Sequence, residues 1–381
     1  MDGSKQPFRY VPLPAGRGVY LPLSPVAATA GGLALYAPVS PAARGYHRLL
    51  VLAARLGLAP AFLRTRSLGE TPGTLHIHEN RIFDLVRETL HRPDVCLAVY
   101  EGKEAITRKP TILAMERSGT PLAFAKIGWN PLTRELVERE YLILTFLQRR
   151  GLRFGRFADV LGYVDVGHSK VLLSSPLHGL KFPPSFELTP LHVAFLQEIG
   201  ALELRRATLL ESAFWERLCD RLAAIRIHLL AEQIDTLQRG FELLERRIGN
   251  EALPWVLRLG DVMPWNFRAN QAANKIEIVD LEFAESESLV GWDLFHFLIG
   301  VRGQPAPLDL AQARQSRTFN AYFEHFEVEP GVIPYLQLAY FLDLSLFYRS
   351  MWADQPLTEA AERNHAMRLM AIKDTISVLT A

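Results

Sequence analysis

The sequence predicts an α+β chain with a small antiparallel sheet region, a large helical region after it, and an α/β extension in front. Three observations predict this. From about Pro93 to Ser174, short apolar or alternating runs are separated by turn residues, which is the pattern of a strand meander. Beyond Pro190 the apolar positions adopt helical spacing and keep it almost to the C-terminus. The first 90 residues are rich in Pro, Gly and Ala and carry only short strand-like and helix-like runs. We therefore divide the chain into an extension (1–90), a sheet lobe with one helix (91–175) and a helical lobe (176–381).

Composition sets the limits. At 381 residues the chain can bury a sizeable core, and 49% hydrophobic with 22% charged residues is ordinary for a globular protein. A net charge of +1 argues against a dedicated nucleic-acid binder. Two cysteines, Cys96 and Cys219, give neither a disulfide framework nor metal-ligand spacing, so a reducing compartment is the simplest setting. No apolar run reaches the ~18 residues of a membrane helix. The nearest, Val26–Ala37, is bracketed by Pro25 and Pro38 and follows 25 residues holding five prolines, which is not the layout of a signal peptide. We expect a cytoplasmic protein with no nucleic-acid or membrane partner; the oligomeric state stays open.

In chain order, Gly18–Leu23 and Leu33–Ala37 read as strands. Pro41–Leu56 reads as a helix, with Tyr46, Leu49, Leu50, Ala53 and Leu56 lining one face. A further helix is expected at about Asn80–Leu90. Strands follow at Val95–Tyr100, Thr111–Glu116 and Leu122–Ile127, the last two joined by the turn Arg117-Ser-Gly-Thr-Pro121. The link Glu101–Pro110 has one glycine, Gly102, and three cations, Lys103, Arg108 and Lys109. A helix spans Pro131–Arg149, and strands return at Phe157–Val166 and Lys170–Ser174 around Gly167. Leu191–Ala207 and Leu210–Ile248, the latter broken near Gln233, read as helices, as do Leu294–Ile299, Ala311–Phe326, Val332–Trp352 and Leu357–Leu379. His228 and His296, each on a helix among apolar neighbours, read as core or boundary residues, and His178 as solvent-facing.

Two constellations carry chemistry. Lys126 lies inside the apolar strand Leu122–Ile127, where an unpaired ammonium is costly. On the next helix only Glu140 falls on the apolar stripe of Leu136, Ile143, Leu144 and Leu147, so it points inward toward Lys126. The second constellation is Leu-Gly-Asp-Val-Met-Pro-Trp-Asn-Phe (259–267), Lys-Ile-Glu-Ile-Val-Asp-Leu-Glu-Phe (275–283) and Gly-Trp-Asp-Leu-Phe (291–295). Strand-like runs 255–259 and 276–279 would present Asp261, Asn266 and Asp280 to one cleft. A carboxylate able to take a hydroxyl proton, beside an Asn and a second carboxylate able to hold Mg²⁺, is the set phosphoryl transfer needs. The bland alternative is that D-x-x-P-x-N is simply a turn.

These blocks resemble the aminoglycoside phosphotransferase and choline-kinase-like family, whose fold is similar to that of protein kinases. The resemblance implies a bilobal protein-kinase-like fold and ATP-dependent phosphorylation of a hydroxyl on a small molecule. It implies Asp261 as catalytic base, Asn266 and Asp280 as Mg²⁺ ligands, and Asp293 as a structural acid bracing the catalytic loop. It further implies that Lys126, held by Glu140, reaches the nucleotide phosphates, and that a hinge including Ser174 and Leu177 receives the adenine. ATP and Mg²⁺ are the implied cofactors and a small hydroxyl compound the implied partner. One departure stands out: the family usually has His before Gly-Asp, and this chain has Leu259. A catalytically silent, nucleotide- or partner-binding member and a protein kinase remain the alternatives; the latter lacks Asp-Phe-Gly, Ala-Pro-Glu and an activation segment.

Overall fold

The computed structural model describes residues 7–13, 17–36, 38, 41–67, 79–102, 105–177, 185–353 and 355–381. Its packing divides the chain into two compact units: Met1–Arg150 with Phe157–His178, and Gly151–Arg156 with Gly179–Ala381.

The first unit is built on one antiparallel sheet. Its strands are β1 (Pro7–Leu13), β2 (Arg17–Pro22), β3 (Arg64–Ser67), β4 (Cys96–Tyr100), β5 (Thr111–Met115) and β6 (Pro121–Gly128). After β7 (Gly155–Arg156), which belongs to the second unit, β8 (Val160–Val166) and β9 (Ser169–Ser174) complete it. The strand order is β3-β1-β2-β4-β5-β6-β9-β8, so strands from the N-terminal extension continue the sheet that residues 96–174 form. Four helices lie between β2 and β4: α1 (Val26–Gly32), α2 (Pro41–Arg55), α3 (Ala59–Phe62) and α4 (Glu79–Thr89). A fifth, α5 (Pro131–Gln148), follows β6. Alternation along the strands splits the core in two. Phe8, Tyr20, Leu97, Val99, Ile112, Ala125 and Val171 cluster with Ile82, Phe83 and Val86 of α4. Val11, Val19, Leu21, Leu113 and Met115 cluster with Leu33 and Ala54.

Local chemistry explains the turns here. Gly119 takes φ +83° in the β5–β6 hairpin, and a Cβ there would lie 2.3 Å from the Ala27 carbonyl oxygen. Asn130 starts α5 by accepting from the Thr133 amide at 2.7 Å, with Pro131 at the first helical position.

The second unit is mostly helical: α6 (Pro190–Gly200), α7 (Ala213–Ile225), α8 (Ala231–Ile248), α9 (Trp292–Arg302), α10 (Leu310–Ala313), α11 (Arg317–His325), α12 (Ile333–Ser350) and α13 (Glu359–Thr380). Among them sit β10 (Arg205–Ala207), β11 (Leu253–Arg258), β12 (Phe267–Asn270), β13 (Lys275–Ile278) and β14 (Glu285–Leu289). They form two small sheets, β10-β11-β14 and β12-β13-β7.

Several expectations need correction. Leu33–Leu35 is a 3₁₀ turn continuing α1 rather than a strand, and Ala37 lies outside the described residues. Leu191–Ala207 is not one helix: α6 stops at Gly200, and Arg205–Ala207 pairs with β11. The Leu210–Ile248 run breaks at residues 226–230. His228 is exposed rather than a core or boundary residue. On α2 the expected single face divides: Tyr46, Leu49 and Leu56 are exposed, while Leu50 packs inward with Val51 and Ala54.

Candidate active site

In the first unit, Lys126 and Glu140 meet as their positions in the sequence predict. Lys126 Nζ donates to both Glu140 oxygens, at 2.6 and 2.8 Å. The side chains are 18% and 7% exposed, so the contact is largely shielded from bulk water. Strand pairing supplies the precision: Lys126 lies opposite Thr111 on β5 and Leu172 on β9. α5 returns over the sheet with Leu136, Val137 and Glu140 buried on one side. Ser174 closes β9 opposite Phe124, and Leu177 is buried just beyond it. His178 and Gly179, the rest of the expected hinge, lie outside the described residues, as does Lys103. Arg108 is engaged within its own loop, donating to the Glu101 carbonyl at 2.8 Å, and Lys109 donates to that of Thr107.

In the second unit, β11 is buried along its whole length and ends at the loop Leu259-Gly260-Asp261. Gly260 has φ +84°, and a Cβ there would lie 2.1 Å from the Phe283 carbonyl oxygen, so only glycine fits. Asp293, in the first turn of α9, accepts from the Leu259 amide at 2.7 Å and the Gly260 amide at 3.0 Å, the bracing role expected for it. Burial pushes this carboxyl up, and the two amides and Arg258 pull against that. Asn266, at the mouth of β12, donates through Nδ2 to Asp261 Oδ2 at 2.8 Å and to the Asp261 carbonyl at 3.1 Å. Asp280 follows β13 and adopts φ +62°, a left-handed conformation that Asp tolerates better than most residues. The amide of Val279 beside it reaches the Asn266 carbonyl at 3.4 Å, tying the ends of the β12–β13 hairpin together.

The sequence reading of His296 as a core or boundary residue holds, but its place at this site was not read. His296, buried on α9, stacks on Trp292 with ring centres 4.8 Å apart and places Nε2 3.5 Å from Asp261 Oδ1. Its Nδ1 lies 3.1 Å from the Tyr340 hydroxyl. Burial pushes the Tyr340 phenol well above its usual range, so it stays protonated and can donate to Nδ1. A Tyr340 hydroxyl donating to Nδ1 is the arrangement that turns a ring N–H of His296 toward Asp261. The available signal was spacing: Asp293 and His296 are three apart on one helix and share a face.

Beneath the loop lies a buried ionic cluster. Arg258 is 2% exposed and donates to Asp343 at 2.5 Å, pairs with Glu285 at 2.8 Å, and covers the Trp292 ring at 4.3 Å. Arg221 and the Trp292 indole also donate to Asp343. Burial alone would raise the Asp343 carboxyl, but Arg258 and Arg221 hold it below the ordinary carboxylate range.

Asn266 spends its NH₂ on Asp261, which leaves its side-chain oxygen, a donor of the kind a hard cation takes. No cluster of three or more His, Cys, Asp or Glu able to hold a metal unaided occurs among the described residues.

These features define a protein-kinase-like fold of the kind found in small-molecule phosphotransferases. The choline kinase LicA from Streptococcus pneumoniae, also solved in complex with AMP, superposes with a TM-score of 0.53 at 15% identity, covering 78% of this chain and 100% of that one. Aminoglycoside 2'-phosphotransferase-IIIa in its GDP complex gives 0.52 at 12% identity, covering 79% and 99%. Plasmodium vivax ethanolamine kinase gives 0.50 at 13% identity, covering 92% and 94%. No protein-family model matches the sequence, and no curated protein matches it.

Proposed function

We propose that this protein is an ATP-dependent phosphotransferase acting on a hydroxyl of a small molecule such as a sugar, an amino alcohol or an aminoglycoside-like compound. The observation that carries this reading is Asp261 at the end of β11, hydrogen-bonded to Asn266 and held on a loop braced by Asp293. In the proposed reaction Asp261 accepts the acceptor's hydroxyl proton as that oxygen bonds to the γ-phosphorus. The bond from the γ-phosphorus to the bridging oxygen breaks, and ADP leaves. Lys126, oriented by Glu140, binds the α- and β-phosphates. Backbone groups around Ser174 and Leu177 receive the adenine. Asn266 and Asp280 hold Mg²⁺, which when bound neutralises charge developing on the phosphates. His296 Nε2 faces the Asp261 oxygen that Asn266 does not bond, and in this reading it helps to orient the carboxylate. The nucleotides seen with two proteins of this fold, AMP and GDP, support a purine nucleotide as donor.

The test is Asp261→Asn, assayed for Mg²⁺-dependent ATP consumption against a panel of hydroxyl compounds and, separately, titrated with nucleotide. Turnover should fall at least ~100-fold while nucleotide affinity stays within a few-fold. Undiminished turnover would refute the assignment of the base. Leu259, where the related family carries His, favours a second reading in which the chain binds nucleotide without turnover. Nucleotide binding by the wild type, with no consumption on any acceptor, would favour it.

A further inference from the structure

Residues 3–69 are charged in one sense. Between Asp2 and Glu70 the chain has eight of its 42 Lys and Arg residues and none of its 41 Asp and Glu residues. The net charge of +1 conceals a strongly basic end balanced by an acidic remainder.

Helix α2 brings part of this charge beside an apolar face. It is held to the unit by its inner side, where Leu50, Val51 and Ala54 join the core and His47 Nε2 lies 3.0 Å from the Leu33 carbonyl oxygen. Its outer side is also apolar: Leu49, Leu52 and Leu56 are 67%, 54% and 64% exposed. Beyond the helix the patch continues through Leu58 and Val26, each 46% exposed. A Cβ on Gly57 would lie 3.8 Å from a Val26 methyl, so the end of α2 and the start of α1 adjoin. At roughly 100° per residue, Arg44, Arg48 and Arg55 fall within about 40° of one another, on the flank next to Leu52. All three are exposed. A core helix has one apolar stripe; this one has two, and the second is exposed and bordered by cations.

We propose that this face docks on an anionic phospholipid bilayer. Leucines sink into the boundary between headgroups and acyl chains while the arginine flank meets the phosphates, the arrangement of an interfacial amphipathic helix. The expectation of no membrane partner rested on the lack of a spanning run, and surface docking needs none; no helix among the described residues is long and apolar enough to cross a membrane. A second copy of this chain fits the face poorly, because a two-fold contact would press the same arginines together. Nucleic acid fits poorly too, since the centre of the face is aliphatic and offers no base-stacking ring.

The test is co-sedimentation of the full chain with vesicles of equal parts phosphatidylcholine and phosphatidylglycerol, and with phosphatidylcholine vesicles, in low and high salt. We compare wild type, Leu52→Glu and the triple variant Arg44→Gln/Arg48→Gln/Arg55→Gln. The expected result is binding to the anionic vesicles only, weakened by salt, with the partition coefficient lowered about 100-fold in the triple variant and ~tenfold or more in Leu52→Glu. The substituted side chains are solvent-exposed, so melting temperatures should match the wild type and attribute the loss to the surface. Absence of vesicle binding by the wild type, equal binding to neutral vesicles, or binding indifferent to all the substitutions overturns the proposal. So does a wild-type dimer in sedimentation that Leu52→Glu returns to monomer, which would make the face a contact between copies.

Discussion

At Asp261 two side chains from different elements divide one carboxylate between them. Asn266 donates to Oδ2 at 2.8 Å, and His296 Nε2 faces Oδ1 at 3.5 Å. A carboxylate hydrogen-bonded at one oxygen and flanked by an imidazole at the other loses rotational freedom, which would matter for the proposed base, since it must meet a hydroxyl proton at a fixed angle. We predict that His296→Ala lowers kcat roughly tenfold or more while KM for the nucleotide stays within a few-fold, and that His296→Gln recovers part of the loss by restoring a donor. Steady-state kinetics with both variants decides it; equal losses in the two would mean that packing on Trp292, not the donor, is what counts. Lys126–Glu140 and Asp261–Asn266 could be read in the sequence because each depends on local periodicity or spacing. His296 could not, because its partner is 35 positions away and only the packing of α9 beside the loop brings the two together.

At the scale of elements, the loop after β11 is positioned from below. Asp343 on α12 accepts from Arg258 of β11, Arg221 of α7 and Trp292 of α9, so one carboxylate ties three elements to a fourth. Removing it leaves Glu285 to meet both Arg258, which is 2% exposed, and Arg221. We predict that Asp343→Ala costs about 3–5 kcal/mol in urea unfolding, and that Arg239→Ala, which breaks an exposed pair on α8, costs less than ~1 kcal/mol. Similar losses for the two would show that the cluster does not anchor the loop. The same ion pairs explain why parts of the fold were not legible. Glu-Ser-Glu-Ser-Leu has no strand pattern, yet it forms β14 because Glu285 is met by Arg217, Arg221 and Arg258, and Glu287 by Arg205. Arg205–Ala207 likewise continues a helical pattern but is captured as β10 against β11. Strands β4 to β6 and helix α5, whose apolar periodicity is not contested by distant charges, fall where the sequence puts them. Helix α2 falls where the sequence puts it, but its apolar positions divide between an inner and an exposed face, since a helix with two apolar stripes does not say which one faces the core.

Across the whole molecule, buried histidines set the response to acid. His192 is fully buried and stacks near Phe267 and Phe297, with Nδ1 accepting from the Thr189 amide at 3.1 Å. His365 on α13 is 5% exposed and has, among the described residues, no hydrogen-bond partner on either nitrogen. Burial lowers each to about 4, and for His365 the nearby Arg349 and Arg368 push the same way. A base whose folded pKa is depressed favours the folded state above its unfolded value near 6.5, and that stability is lost as pH falls through the window from 6.5 to 4. Asp293 opposes the trend weakly, because its raised carboxyl takes up a proton more readily when folded. We predict that His365→Leu changes stability little in its pH dependence near pH 7 but gains about 2 kcal/mol relative to wild type between pH 7 and pH 5, since the variant no longer carries the group that must charge on unfolding. Urea midpoints of both proteins at the two pH values measure this difference directly. Parallel acid losses would mean that His365 already reaches solvent in the folded state and that the acid response belongs to His192 and the carboxylates around Arg258.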